Sequence, residues 1–203
     1  MSEPRNIDFF FDIGSPYSYL AATQVEALEG RTGAKVCWRP LLLGALFKSV
    51  GNEMPARVPS KARYMIEDLA RWAQFYAVPF RMSSHFPVNS LKPQRALTAA
   101  AGRYGDAAVG PLALALYQAY WVDDRDPSTP EVLLEAAASV GQDGAALLTD
   151  CDLQETKDAL RSSTEEAVQR GAFGAPTFFV GEAMFWGNDR IALLEAYLAT
   201  LAQ

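Results

Sequence analysis

Residues 7–20 constrain this chain more than any other stretch. Ile7 to Ile13 is a short, nearly continuous apolar run that stops at Gly14. Its length and the glycine that bounds it predict a buried strand rather than a helix. Ser15-Pro16 comes next. Serine satisfies free N–H groups at a helix start, and proline is well tolerated at the first helical position. Tyr17, Leu20, Ala21, Val25 and Leu28 recur at helical spacing, which predicts one helix from Pro16 to about Glu29 with Gly30 as its stop. A second strand, Lys35 to Arg39, ends at Pro40. The chain thus opens β-α-β, with Ser15 at the strand-to-helix turn.

From Leu41 to about Arg170 the periodicity is helical. It predicts helices over 41–50, 60–76, 92–104, 107–121, 131–140 and 153–169, and loops over 51–59 and 78–90. In the second of these helices Tyr64, Leu69, Trp72 and Phe75 are the expected buried positions. Strands return at the end: Thr177 to Val180 and Ala183 to Trp186, joined by a tight turn at Gly181-Glu182. A last helix runs from about Asp189 to Leu201, with Ile191, Leu194, Leu198 and Leu201 inward. The order β-α-β, helical block, β-β-α makes this an α/β chain. Residues 1–40 and 171–203 are expected to form one domain, and 41–170 a helical insertion.

A net charge of −6 argues against nucleic acid or an acidic membrane surface as a partner, because phosphate binding needs a basic patch. The two cysteines, Cys37 and Cys151, lie far apart and read as buried thiols in a reducing compartment. With a single histidine, His85, the common zinc sites are not expected. Met1 to Arg5 is too short and polar for a signal peptide, and no apolar run approaches a membrane span, so a cytoplasmic enzyme is the expectation.

Four pieces of sequence carry a family resemblance: residues 11–20 (Phe-Asp-Ile-Gly-Ser-Pro-Tyr-Ser-Tyr-Leu); Trp38-Arg39-Pro40 with Gly51-Asn52 and Pro59-Ser60-Lys61; residues 171–178 (Gly-Ala-Phe-Gly-Ala-Pro-Thr-Phe); and residues 185–190 (Phe-Trp-Gly-Asn-Asp-Arg). Together they resemble the DsbA-like branch of thioredoxin folds. More narrowly, they resemble the kappa-class glutathione transferases and the related 2-hydroxychromene-2-carboxylate isomerases. The segment from His85 to Leu91, followed by Arg95, looks more like the isomerase branch. The resemblance implies a thioredoxin-like fold with a large all-helical insertion, glutathione as cofactor, a small aromatic carboxylate as substrate, and a homodimer.

Ser15 stands where a thioredoxin-like protein carries the first thiol of Cys-x-x-Cys, and Ser18 where it carries the second. Without those thiols dithiol–disulfide exchange is not expected. On its own, Ser15 could be an ordinary helix cap. A helix N-terminus also stabilises an anion and lowers the pKa of a thiol placed there. The resemblance makes Ser15 the hydrogen-bond donor that keeps glutathione as thiolate, while Ser18 reads as structural. It implies a cis bond at Pro176, leaving the N–H and C=O of Ala175 for the cysteinyl backbone of glutathione. Asn188 and Asp189 are the expected holders of its γ-glutamyl end, although both could simply cap the last helix. Asn52 and Lys61 match peptide-binding positions of the family.

For the second substrate, Trp38, Tyr64, Phe86 and Trp121 are candidate walls. Arg39 and Arg95 are candidate carboxylate partners, and Asn89 a candidate orienting group. Each could equally be core or surface, and His85 is not assigned a role. The implied reaction interconverts 2-hydroxychromene-2-carboxylate and trans-o-hydroxybenzylidenepyruvate. The alternatives are a kappa-like transferase that conjugates electrophiles, and a binding module without catalysis.

Overall fold

The computed structural model describes residues 6–201. Four strands form one sheet in the order β2-β1-β3-β4: β1 is Asn6–Phe11, β2 Lys35–Pro40, β3 Thr177–Val180 and β4 Ala183–Trp186. β1 runs parallel to β2 and antiparallel to β3, so the two ends of the chain meet at the centre of the sheet. Side chains alternate between faces along a strand. Phe9, Phe11 and Phe178 accordingly enter one buried cluster, and Phe10 and Phe179 the other.

Where one helix was expected after Ser15 there are two, α1 (Pro16–Ala22) and α2 (Val25–Thr32). The break follows Thr23, whose hydroxyl donates to the carbonyl of Leu20 at 2.7 Å while Gln24 N–H bonds back to Ala21. Such back-bonding tightens a helical turn. Gly30 is not the stop. The left-handed cap falls on Gly33, at φ +67°, three residues later.

The helical segment comprises α3 (Leu43–Val50), α4 (Pro59–Tyr76), α5 (Leu91–Tyr104), α6 (Val109–Trp121), α7 (Pro130–Ser139), α8 (Gly144–Asp150) and α9 (Gln154–Gln169), with short 3-10 turns at 55–57 and 106–108. α8 was not anticipated. Asp143 caps it by accepting from Ala146 N–H at 3.0 Å, and Gly144 at its first position reads in sequence as a turn. The chain ends in a 3-10 turn, 188–190, and α10 (Ile191–Thr200).

The larger cluster runs without interruption from Phe9 and Phe178 to Leu116, Tyr117 and Trp121 of α6, so the sheet and the helical segment share a core. Phe9 stacks on Phe178 at 4.7 Å and meets the edge of Trp38 at 5.1 Å. The opposite face packs against α3 and α9 through Phe10, Leu46, Ala167 and Phe179. α4 buries only Met65, Leu69 and Ala73, a stripe at i, i+4, i+8. Tyr64 and Phe75 fall off that stripe and are exposed, against expectation, and Trp72 is half-buried. Leu201 is likewise exposed, because α10 ends before it.

Candidate active site at the Ser15 turn

The first strand ends in a tight turn that delivers Ser15 to the start of α1. Ser15 N–H closes the turn onto the carbonyl of Asp12 at 3.0 Å. Its hydroxyl accepts from Ser18 N–H at 3.2 Å, as an N-cap does. The same hydroxyl donates to the carbonyl of Ala175 at 3.0 Å. Ala175 precedes Pro176 in a cis peptide bond, directly before β3. Pro176 cannot donate to the sheet ladder; its carbonyl accepts from Gly187 N–H at 3.0 Å. The carbonyl of Ala175 was expected to be free toward a ligand. It is instead engaged by Ser15, and the two segments close on each other.

Asn52 joins this arrangement from the loop after α3. Its amide donates to the carbonyl of Phe173 at 2.8 Å, two residues before Ala175. Asn188 and Asp189 come to the neighbourhood of α1 on the turn that opens α10, but differently from one another. The side chain of Asn188 is buried beside the Tyr76 hydroxyl, which donates to the backbone carbonyl of Asn188 at 2.8 Å and accepts from its side-chain amide at 3.5 Å. It is therefore a structural tie rather than an open ligand group. Asp189 is partly exposed and pairs with Arg190 at 3.2 Å. Its charge reaches the Tyr17 phenol, which is held well above its usual pKa by burial first, then by Asp68. Tyr17 donates to Asp68 of α4 at 2.9 Å. Lys61, Tyr64 and Asp68 share a face of α4 at helical spacing, so this face looks toward α1. Lys61 stands exposed on its first turn.

Ser18 is fully buried beside the hydroxyl of Tyr117. One residue that sequence reasoning missed is Asp12, a carboxyl group next to the turn. Its carboxyl is buried and accepts from Gly14 N–H at 2.8 Å, Leu43 N–H at 2.8 Å and Ser90 hydroxyl at 3.0 Å. One group thus ties the Ser15 turn to the start of α3 and to the residue before α5. Burial pushes its pKa up, and the three donors pull against that. A carboxylate interrupting an apolar strand was the available signal. Gln94 was missed too: fully buried, it donates to the carbonyls of Phe11 and Leu41 and fixes the strand ends that carry the turn.

A cavity of about 390 Å3 opens beside the turn. Asp12 and Gly14 of the turn line it, next to Ser15, which does not; Phe47, Met54 and Phe86 supply apolar wall, and Lys48 and Arg57 supply positive charge. Of the residues expected to meet a second substrate, only Phe86 is here; Asn52, expected to hold the peptide, lines it too. Trp38 is packed between the sheet and Gly110 of α6. Trp121 is fully buried, donating to the carbonyl of Ile13. Arg39 is drawn away by Glu166 and Asp8 and lies over the ring of Phe10. Arg95 lines a different groove. Asn89 is exposed and accepts from Leu91 N–H at 3.1 Å. Tyr64 is on the surface of α4, and His85 is exposed beside Phe86.

The site has no thiol of its own. Cys37 is half-buried on β2 and Cys151 buried after α8, and neither is in a disulfide. Burial pushes the Cys151 thiol up to about 11 and raises Cys37 as well. Both are therefore poor nucleophiles at neutral pH. Among the described residues no helix is long and apolar enough to cross a membrane.

The model of the DSBA-like thioredoxin domain matches residues 6–199. The 2-hydroxychromene-2-carboxylate isomerase of Sphingobium xenophagum is 35% identical over 196 residues, 96% of this chain and 98% of that protein. Glutathione S-transferase kappa 1 of Rattus norvegicus is 30% identical over 207 residues, 96% of this chain and 91% of that protein. A solved 2-hydroxychromene-2-carboxylate isomerase has a TM-score of 0.88 and 26% identity to this chain, covering 97% of it and 96% of its own length. A match that runs from the first residue of β1 into α10 takes in every strand and helix of the fold: the chain belongs to the family of DSBA-like thioredoxin domains.

Proposed function

We propose that this protein is a glutathione-dependent isomerase that interconverts 2-hydroxychromene-2-carboxylate and trans-o-hydroxybenzylidenepyruvate. The observation that carries the reading is the Ser15–Ala175 hydrogen bond at the N-terminus of α1, beside a cavity with apolar walls and cationic side chains. Relatives named for this reaction span the chain almost completely.

The residues present fit a cysteinyl peptide. A thiolate can accept the hydrogen bond that Ser15 now gives to Ala175, and a peptide N–H can replace that hydrogen bond at the Ala175 carbonyl. Lys61 and Asp189 offer opposite charges to the carboxylate and ammonium ends, and Asn52 offers an amide. Bound glutathione supplies the chemistry, a thiolate nucleophile that adds reversibly to the conjugated open-chain substrate so that the former double bond can rotate.

The chain's own part is positioning and electrostatics. Ser15 aims one hydroxyl donor, and α1 adds the partial positive charge of its N-terminus. Phe47, Met54 and Phe86 take the aromatic body of the substrate and exclude water around it. Lys48 and Arg57 meet its carboxylate; Arg57 is already shared with Glu53 at 3.6 Å, which leaves Lys48 as the principal cation. The cytoplasm suits this chemistry because thiols stay reduced there, and the enzyme is read as a homodimer, which a solution mass measurement checks.

The experiment is an assay with the chromene carboxylate, with and without glutathione. Turnover that needs glutathione without consuming it supports the reading. Stoichiometric loss of glutathione to a conjugate, with no isomer formed, favours instead the kappa-type transferase to which the chain is also similar.

A further inference from the structure

A second concavity lies across α3 from the Ser15 cavity. It measures about 480 Å3 and is bounded by α3, the start of α5 and α9. That volume suits a small organic molecule. α3 turns Leu42, Ala45 and Ser49 toward this groove, and Leu43, Phe47 and Lys48 toward the Ser15 cavity. The two spaces therefore lie on different sides of one helix.

The groove combines apolar wall with concentrated positive charge. Leu42, Leu91 and Val168 line it, together with Arg95, Lys157 and Arg161 against a single carboxylate, Glu165. In a chain with a net charge of −6, three cations in one groove stand out from the background.

Arg95 is the decisive group. Its side chain is only 25% exposed, yet among the described residues its guanidinium makes no hydrogen bond. Its nearest anion is Asp152, at 3.8 Å, on a side chain that is 83% exposed. An ion pair held that loosely in water contributes little. Lys157 is committed to the carbonyl of Asp152 at 2.6 Å, and Arg161 to Asp158 at 3.1 Å. Arg95 is left with donors in a fixed fork, no protein acceptor, and an opening to the solvent of the groove, so an incoming acceptor meets no competing partner. A planar carboxylate is the acceptor that fits such a fork in two parallel bonds.

We propose that this groove is a second ligand site, separate from the Ser15 site, for an organic carboxylate with an aromatic body. Arg95 anchors the carboxylate, Lys157 and Arg161 add charge at the rim, and the body lies on Leu42, Leu91 and Val168. The proposal does not depend on the reaction assigned to Ser15.

The test uses naphthalene-2-carboxylate, which cannot react with a thiolate, and its neutral amide as a control. Calorimetry on the full chain should show binding of the carboxylate that is at least tenfold tighter than that of the amide, with an affinity changed less than twofold by saturating glutathione. Arg95→Gln should weaken it at least tenfold, and Arg95→Lys less. Lys157→Gln, on the rim, should weaken it about threefold and covers the case in which an Arg95 variant fails to fold. Arg71→Gln, an exposed cation of α4 paired with Glu67, should leave it unchanged. No binding at millimolar carboxylate would overturn the proposal. So would binding that ignores both Arg95→Gln and Lys157→Gln, or that is lost to glutathione or to Arg71→Gln.

Discussion

The hydroxyl of Ser15 and the carbonyl of Ala175, 160 residues apart in sequence, are joined by one hydrogen bond of 3.0 Å. It spans the helix start and the cis-proline segment, the two elements between which the proposed cysteinyl peptide would bind. The hydroxyl caps α1 at the same time. Ser15 therefore has a structural role and a proposed chemical one, and the two separate experimentally.

Ser15→Ala removes a donor to the developing and resident negative charge at sulfur. Turnover should fall about a hundredfold, within the range for loss of one preorganised donor, while glutathione binds no more than a few-fold weaker. The lost cap should cost about 1 kcal/mol of stability, read from denaturant unfolding. Ser18→Ala, at a buried position, should keep turnover within about twofold.

Asp12 gives a pH dependence whose sign can be worked out. Its folded pKa lies above the ordinary value of 3.8, chiefly through burial. The folded state then holds the proton more tightly than the unfolded state. The contribution to stability is complete below 3.8 and is lost as pH rises through the raised folded value. Asp12→Asn cannot titrate, so the variant should be relatively more costly at pH 4 than at pH 7. Because asparagine keeps one acceptor oxygen but turns an NH2 toward the remaining donors among Gly14, Leu43 and Ser90, the variant should be destabilised by about 1–3 kcal/mol at both. Unfolding curves at the two pH values check both points.

In the proposed reaction Lys48 is the principal cation that the cavity beside the Ser15 turn presents to an anionic substrate. Its exposure limits its contribution to about 1 kcal/mol, or roughly a fivefold rise in KM for Lys48→Met. Glutathione affinity should not change. Arg39→Gln should leave KM alone, because Arg39 serves Glu166 and Asp8 across the sheet.

Gly110 tests the shared core. A Cβ there would lie 2.7 Å from the indole nitrogen of Trp38. Trp38 is held by Phe9 and Phe11 and has little room to yield. Gly110→Ala should destabilise the fold by about 1–3 kcal/mol despite its better helix propensity, seen as a lower unfolding midpoint.

The strands were legible because short apolar runs bounded by Gly and Pro have few other interpretations, and the Ser15 cap followed from Ser-Pro after such a run. The break at Thr23 was not legible, since it depends on a hydroxyl choosing its own backbone over solvent. Phe75 and Tyr64 looked buried by residue type, but the stripe α4 buries is only three residues wide. Arg39 and Arg95 were picked as cations for a carboxylate, and their charge was read correctly. Which side of the sheet or of α3 each would occupy depends on contacts with Glu166 and α9, more than a hundred and about sixty residues downstream respectively, on the order of what only a folded chain can juxtapose. Asp12 escaped notice because its three donors come from three separate segments.

The central claim is that Ser15 holds glutathione as thiolate. Its most direct test is the ultraviolet thiolate absorbance of bound glutathione, followed against pH in the wild-type protein and in Ser15→Ala. The account predicts ionisation of the bound thiol well below about 8.5, the value for a free cysteine, and a return toward that value in the variant. A midpoint that equals the free value in the wild type, or that does not move in Ser15→Ala, would contradict it.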